Sequence, residues 1–322
     1  MSNSPLISVI IATYNRANIL RYAIQSVQNS TLDNWELIVV GDHCTDDTAD
    51  VVNSFNDSRI RYVNLARNCG EQSGPHNHGL TLARGKYIAF LNHDDMYFPD
   101  HLESCLNHLE NEKVDFVWVP CANARVISES ELLNGKWKFK IRGVPLGKNS
   151  HPYPSNSAYV SSSWFFKREL IDLIGPWHPA QTLFVTPSQD WLFRAWRSTA
   201  KLSFNPHMTV LFISGGARHN FYLLNRSLEH EIFAREMQLN PRFREQILER
   251  ITIDAPQKDI MAIFLDALRR LRTTFFICFQ LIMIRLNIHP LSLTRWLKYG
   301  SRGGFINFIR EKNGLDQLPS EN

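Results

Sequence analysis

Residues 6–12 (LISVIIA) form an unbroken apolar run rich in β-branched side chains, the pattern of a parallel strand buried on both faces. The run stops at Thr13-Tyr14-Asn15-Arg16, and apolar residues then recur at helical spacing from Ile19 to Val27. A second run, Glu36 to Val40 (ELIVV), leads into the polar loop Gly41 to Asp47, and residues 48–55 predict a helix. Ile60 to Leu65 alternates as a third strand, and residues 77–84 predict a helix. Tyr87 to Leu91 (YIAFL) is a fourth strand that runs directly into Asn92-His93-Asp94-Asp95. Strand and helix alternating in this way imply an α/β fold with a doubly wound, mainly parallel sheet and helices on both faces. Ligands bind such sheets at the carboxyl ends of the strands. The polar clusters Thr13–Arg16, Asp42–Asp47 and Asn92–Asp95 all fall there.

Further along, residues 114–120 predict another strand. Residues 128–157, with Ser, Gly, Lys and Pro and weak periodicity, read as loop and edge structure, a mobile flap. Order resumes at Trp164 to Leu173, and Gln189 to Trp196 (QDWLFRAW) has helical spacing with Asp190 at its start. Charged helices are expected over 226–250 and 259–287. A length of 322 residues, 44% of them hydrophobic, suits one large α/β domain with an appendage.

Charge sharpens this division. Residues 1–258 carry 26 basic and 26 acidic side chains, whereas residues 259–322 carry 9 basic and 5 acidic, so the net +4 resides in the tail. A charge-neutral region over 1–258 without a basic aromatic stripe argues against nucleic acid as a partner. The uncharged tail stretch Thr273 to Ile284 has 12 residues, short of the roughly 20 needed to cross a bilayer. Arg269, Arg270, Arg272 and Arg285 flank it, and Trp296, Lys298, Tyr299, Phe305 and Phe308 follow. Such a segment suits the interface of an anionic membrane, or a helix packed on the catalytic domain or on a second subunit. The five cysteines are scattered without C-x-x-C spacing, which argues against a zinc site or disulfide framework and for a reducing compartment. No charged-then-apolar leader precedes the first strand. The expected location is therefore cytoplasmic, at the inner face of the cell membrane if the tail touches lipid.

The adjacent carboxylates Asp94 and Asp95 admit two readings. They could hold a hard divalent cation, or form a turn that caps a helix starting within Met96 to Asp100. Asp42, nearest the end of its strand, is placed to accept a hydrogen bond from a nucleobase or ribose, while Asp46 and Asp47 are expected to cap the following helix. Asp190 beside Trp191, Phe193 and Trp196 is either an N-cap or a carboxylate whose surroundings suit proton abstraction. His76, His78 and His219 could touch phosphate or metal, but structural roles are commoner for lone histidines. Arg67 to Gly70 reads as a turn rather than an anion cradle, and Trp164 and Trp177 as core rather than as platforms stacked on sugar faces.

Together these segments resemble the family-2 inverting glycosyltransferases of GT-A fold. SVIIATYNR is similar to that family's first strand and nucleotide-binding loop, and ELIVVGDHCTDDT to its second strand and Asp-containing loop. RGKYIAFLNHDD resembles the segment leading to its metal-binding Asp-x-Asp signature, and SQDWLFRAW the later motif that supplies the catalytic base. The resemblance implies a catalytic domain over 1–225, with a nucleotide-sugar half (1–120) and an acceptor half (121–225), and a helical C-terminal extension over 226–322. It implies a nucleotide pocket at Ala12, Tyr14, Asn15, Arg16 and Asp42, with Asp94 at the ribose. It also implies Asp95 on Mn2+ or Mg2+ and Asp190 as general base. The donor would be a nucleotide-sugar, with a bias toward uridine, and the acceptor a glycan or lipid-linked sugar in surface polysaccharide assembly. Departures are Gly41 in place of the first acidic residue of the second motif, Asn92-His93 within the third, and Gln189 in place of Glu. His76 stands where an arginine often approaches the diphosphate. They leave room for a binding protein without turnover. A sugar nucleotidyltransferase is disfavoured because ATYNRAN lacks a glycine-rich phosphate loop.

Overall fold

The computed structural model describes residues 4–125, 128–145, 160–214, 222, 226–253, 279 and 281–319. Its central sheet has seven strands. β1 (Ile7–Thr13) lies between β2 (Trp35–Gly41) and β4 (Tyr87–Phe90), with β3 (Ile60–Asn64) outside β2. All of these pair in parallel. On the other side β9 (Trp164–Lys167) runs antiparallel between β4 and β6 (Phe116–Trp118), and β10 (Leu202–Phe204) pairs in parallel with β6. The sheet is thus mixed but mainly parallel. Ile7, Val9, Ile10 and Ile11 are fully buried, because helices cover both faces. These are α1 (Ala17–Gln28), α2 (Thr48–Asn53), α3 (Ser73–Leu82) and α4 (His101–Glu112).

Register aligns the strand ends. Thr13 pairs with Gly41, and Ile10 with Phe90, so three polar loops emerge side by side. Gly41 has a steric reason. A Cβ there would sit 2.6 Å from both Asn64 Oδ1 and Tyr62 Oη. Asn64 instead fastens the loop, accepting from the Cys44 N–H and donating to the Cys44 carbonyl, each at 2.8 Å.

Two expectations change. Asp95 does not precede a helix within 96–100; it opens a short strand, β5 (Asp95–Tyr97), and the helix begins only at His101. β5 belongs to a second sheet of order β5-β11-β7-β8, with β7 at Cys121–Arg125, β8 at Lys138–Arg142 and β11 at Val210–Ser214. The strand read over 114–120 is β6, and β7 of the second sheet follows it immediately at Cys121. Within the stretch read as loop and edge structure, β8 is the edge strand of the second sheet, with only Phe139 of its five residues buried, and α5 (Glu129–Leu133) is an unexpected short helix; residues 146–159 lie outside the described residues.

α6 (Leu170–Ile174) and α7 (Pro187–Arg197) follow β9. Trp164, Trp177 and Trp191 pack together under the sheet, the Trp164–Trp191 ring centroids 5.7 Å apart. α8 (Leu228–Leu239) and α9 (Phe243–Ile253) cover the second sheet through Phe233, Phe243 and Ile247. The stretch read as a helix over 259–287 falls largely outside the described residues. Beyond it, two tail helices, Ser292–Tyr299 and Gly304–Lys312, return to the strand ends of the central sheet.

Candidate active site

A cavity of about 300 Å³ opens at the carboxyl ends of β1, β2 and β4, at the lower end of small-molecule pockets. One wall is strand-borne: Ala12, Thr13, Tyr14, Asp42 and His93. Gly70, Glu71 and Gln72 line it from the loop before α3, and Thr186, Pro187 and Ser188 from the start of α7. The remaining wall comes from the C-terminal tail through Ile306, Ile309, Arg310 and Asn313.

Asp42 is 4% exposed. Its carboxylate accepts from the N–H groups of Cys69 and Gly70 at 2.7 and 2.9 Å. Burial pushes its pKa up, against the pull of those two N–H groups. The Arg67–Gly70 turn is thereby bent around Asp42 and becomes part of the pocket. Asp46 caps as expected, accepting from Ala17 N–H at 2.9 Å and from Thr48 N–H at 3.2 Å, so one carboxylate serves the starts of both α1 and α2.

Asn15 and Arg16, expected at the nucleotide, do not line the cavity. Asn15 takes a left-handed backbone (φ 46°), tolerated by asparagine. It ties its loop to the next by accepting from Thr45 N–H at 2.8 Å. Arg16 is buried, its guanidinium 4.8 Å from the centroid of the Tyr222 ring and donating to the Tyr222 carbonyl at 3.3 Å. Tyr222 in turn lines the pocket, its hydroxyl 3.2 Å from His93 Nε2. His76, expected near a diphosphate, lies instead in the core between Phe90 and Trp177, ring centroids 4.5 and 4.7 Å away. Neither ring nitrogen has a hydrogen-bond partner among the described residues. Burial alone pulls its pKa down to about 3, so it is neutral and cannot pair with phosphate.

The neighbours Asp94 and Asp95 differ sharply. Asp95, expected to hold the cation, turns inward and is fully buried. It accepts from Ser162 Oγ at 2.5 Å, Asn92 Nδ2 at 2.8 Å and the Ile213 N–H at 3.3 Å. Burial, and then the charge of Asp94, push its pKa well up. This carboxylate clamps β5, β11 and the turn after β4 together, and has no face toward the cavity. Asp94 is half-buried, and its carboxylate takes no hydrogen bond among the described residues. After burial, its charge is the next cause raising the Tyr222 pKa, so Asp94 acts on a side chain that lines the pocket.

Asp190 stands in the first turn of α7. A capping box between Thr186 and Gln189, with Pro187 opening the helix, fixes that turn. Asp190 Oδ2 is held by Arg194 Nε at 2.9 Å and His178 Nδ1 at 3.0 Å; its other oxygen has no partner among the described residues. Gln189, one residue before, accepts from Arg295 of the tail at 2.5 Å. Gly70, read as part of a turn, lines the cavity, while Tyr222, His178 and the tail residues were not foreseen, since nothing in local spacing brings them to the strand ends. His219 lies outside the described residues.

The family model described as Glycosyl transferase family 2 matches residues 8–174. Two relatives from Escherichia coli are both named UDP-Glc:alpha-D-GlcNAc-diphosphoundecaprenol beta-1,3-glucosyltransferase. WfaP is 38% identical over 112 residues, 34% of this chain and 44% of that protein. WfgD is 31% identical over 128 residues, 40% of this chain and 49% of that protein. Each match thus spans under half of the relative's length. The structure of S. aureus TarS 1–349 in complex with UDP-GlcNAc superposes with a TM-score of 0.51 at 18% identity, covering 76% of this chain and 71% of that one. That likeness concerns the fold, which is GT-A. With the family match running over just over half its length and its polar strand ends gathered on one cavity, the chain belongs to glycosyl transferase family 2.

Proposed function

We propose that the protein transfers a sugar from a UDP-linked donor to an acceptor hydroxyl with inversion, assisted by a divalent cation. One observation carries this reading: Asp42, His93 next to the half-buried Asp94, and the first turn of the helix bearing Asp190 meet at a single cavity. The two Escherichia coli relatives are named for a UDP-Glc donor and a diphosphoundecaprenol-linked acceptor, which favours UDP-linked hexose and a lipid-linked acceptor here.

Among the described residues no group of three His, Cys, Asp or Glu could hold a metal ion by itself. The fit is instead to a hard cation that takes one or two carboxylates and completes its shell with phosphate and water. Asp94 is the carboxylate free to serve; Asp95, fully engaged and buried, braces the strand beside it. When bound, such a cation would stabilise charge on the leaving diphosphate. The chain's own residues do the rest. Asp42 shapes the base end of the pocket through the Cys69–Gly70 loop, and Tyr14 lines it. Asp190, with one oxygen held by Arg194 and His178, uses the other to take the proton of the attacking hydroxyl. A single displacement needs no further carboxylate nucleophile.

The tail supports a lipid-proximal role. No helix among the described residues is long and apolar enough to cross a membrane, yet Trp296, Leu297 and Phe308 are 47%, 72% and 45% exposed beside Lys298 and Arg302. Aromatic and basic groups mixed in this way suit an anionic lipid surface.

The test is calorimetric titration of UDP-, GDP- and dTDP-sugars with and without Mn2+ on wild type and Asp94→Ala, followed by a turnover assay on lipid-linked acceptors. Metal-dependent binding of UDP-sugars, lost in the variant, and product formation are expected. Binding without product on any acceptor would favour the binding-protein reading that Gly41 and Gln189 raise. Absence of binding to every donor would overturn the proposal.

A further inference from the structure

The tail docks on the site by contacts local sequence does not suggest. Arg310 of the helix Gly304–Lys312 donates through Nη1 to the Gly70 carbonyl and through Nε to the Asp316 carbonyl at 2.6 Å. Gly303 N–H reaches the Leu183 carbonyl at 2.8 Å, and the Tyr222 N–H the Asn313 carbonyl at 3.3 Å. Pro319 lies so near Gly70, whose φ is +78°, that a Cβ there would stand 2.7 Å from Pro319 Cδ. Asp42 and Arg310 therefore grip the same loop at Gly70, the first accepting from the Cys69 and Gly70 N–H groups and the second donating to the Gly70 carbonyl.

The charges around the cavity are unbalanced for an anionic ligand. Asp42 and Glu71 line it, and Arg310 is the one Lys or Arg among the described lining residues. Arg16 is sequestered behind Tyr222. Two of the three guanidinium nitrogens of Arg310 are spent on carbonyls; Nη2 has no partner among the described residues. A half-buried guanidinium with one open nitrogen at a pocket wall is suited to a phosphate oxygen.

We propose that Arg310 is a donor-binding residue, supplied from the C-terminal tail, whose guanidinium contacts the diphosphate of the nucleotide-sugar. The inference rests on the nucleotide-sugar reading above and adds that the tail is part of the donor site. Binding of the nucleotide and docking of the tail are then linked, since each supplies contacts to Arg310 that hold the other in place.

The experiment is calorimetry of full-length wild type, Arg310→Ala and Arg310→Gln with UDP and with uridine, alongside thermal melts. Arg310→Gln keeps a polar donor near Gly70 without the charge, and so guards against loss of fold. If the proposal holds, UDP affinity falls about 10- to 100-fold in both variants, while uridine affinity changes less than about 3-fold. Equal loss for UDP and uridine would show that Arg310 only shapes the pocket, and unchanged UDP affinity would show no contact; either overturns the inference and leaves the donor reading standing. Tighter UDP binding in the variants would mark the tail as a plug, and would also overturn it. Failure of wild type to bind UDP would remove the donor reading and this inference with it.

Discussion

The two walls of the cavity are built differently. The strand-borne wall sits on β1, β2 and β4, whose residues Val9, Ile11, Leu37, Val39 and Ala89 are completely buried and whose loops are pinned by Asn15, Asp46 and Asn64. The tail-borne wall is a nine-residue helix with no buried residue of its own, held by the contacts at Gly70, Leu183 and Asn313. Segments with few buried apolar contacts open at low free-energy cost, while core strands open only with the whole fold. The comparison teaches a division of labour. Asp42 and Asp94 stand just after core strands, whereas the tail wall rests on a few hydrogen bonds to the rest of the chain. α7 is where the walls meet, because Thr186 to Ser188 line the cavity and Gln189 accepts from Arg295 of the tail.

The largest effect is expected at that junction. Asp190→Asn keeps the shape of the first turn and an oxygen for Arg194, but removes the acceptor of the proton. General-base catalysis is worth roughly 10²- to 10⁴-fold, so turnover should fall by about that factor while UDP-sugar affinity stays within about 2-fold. Turnover close to wild type would remove Asp190 from the chemistry, and a matching loss of affinity would recast it as part of the donor wall. Single-turnover assays with parallel calorimetry separate these results.

The strand-borne wall is next. Asp95→Ala leaves Ser162 Oγ, Asn92 Nδ2 and the Ile213 N–H without their shared acceptor. Unsatisfied buried donors cost about 1–3 kcal/mol each, and partial relaxation makes about 3 kcal/mol a reasonable total. Urea unfolding should show this loss. If stability were unchanged and only metal-dependent binding disappeared, Asp95 would be the cation ligand and the assignment to Asp94 would fall.

The same contrast explains what could be read without coordinates. Strand ends β1, β2 and β4 are announced by apolar runs that stop at polar clusters, and a parallel sheet brings those stops to one edge. Ala12, Tyr14 and Asp42 were therefore legible as pocket residues. Which of two adjacent carboxylates is buried was not, because it depends on β5 leaving the first sheet to pair with β11, a partner more than a hundred residues away. His76 looked like a phosphate contact by its position before a helix, but the helix starts earlier, at Ser73, and its buried face carries the ring into the core. Arg310 was illegible for a plainer reason. An amphipathic tail advertises that it will pack, and its pattern is silent about where.

His76 offers the smallest and most discriminating test of the strand-borne wall. A histidine with a pKa near 3 in the folded state and about 6.5 unfolded binds its proton only on unfolding across that interval. Its folded pKa is depressed, so stability is highest above about pH 6.5 and declines as pH falls toward 3. At pH 5 the linkage amounts to about 2 kcal/mol for this group. His76→Leu, similar in volume and free of the two unpartnered nitrogens, should therefore gain about 2 kcal/mol over wild type at pH 5 relative to the difference at pH 8, read from paired urea melts. Donor affinity at pH 8 should not change, since the ring does not reach the cavity. A pH-independent difference would mean that the ring is solvated or paired in solution. Weaker UDP binding would return His76 to the diphosphate, and the strand-borne wall would then extend down into α3, whose buried face His76 shares with Pro75 and Gly79.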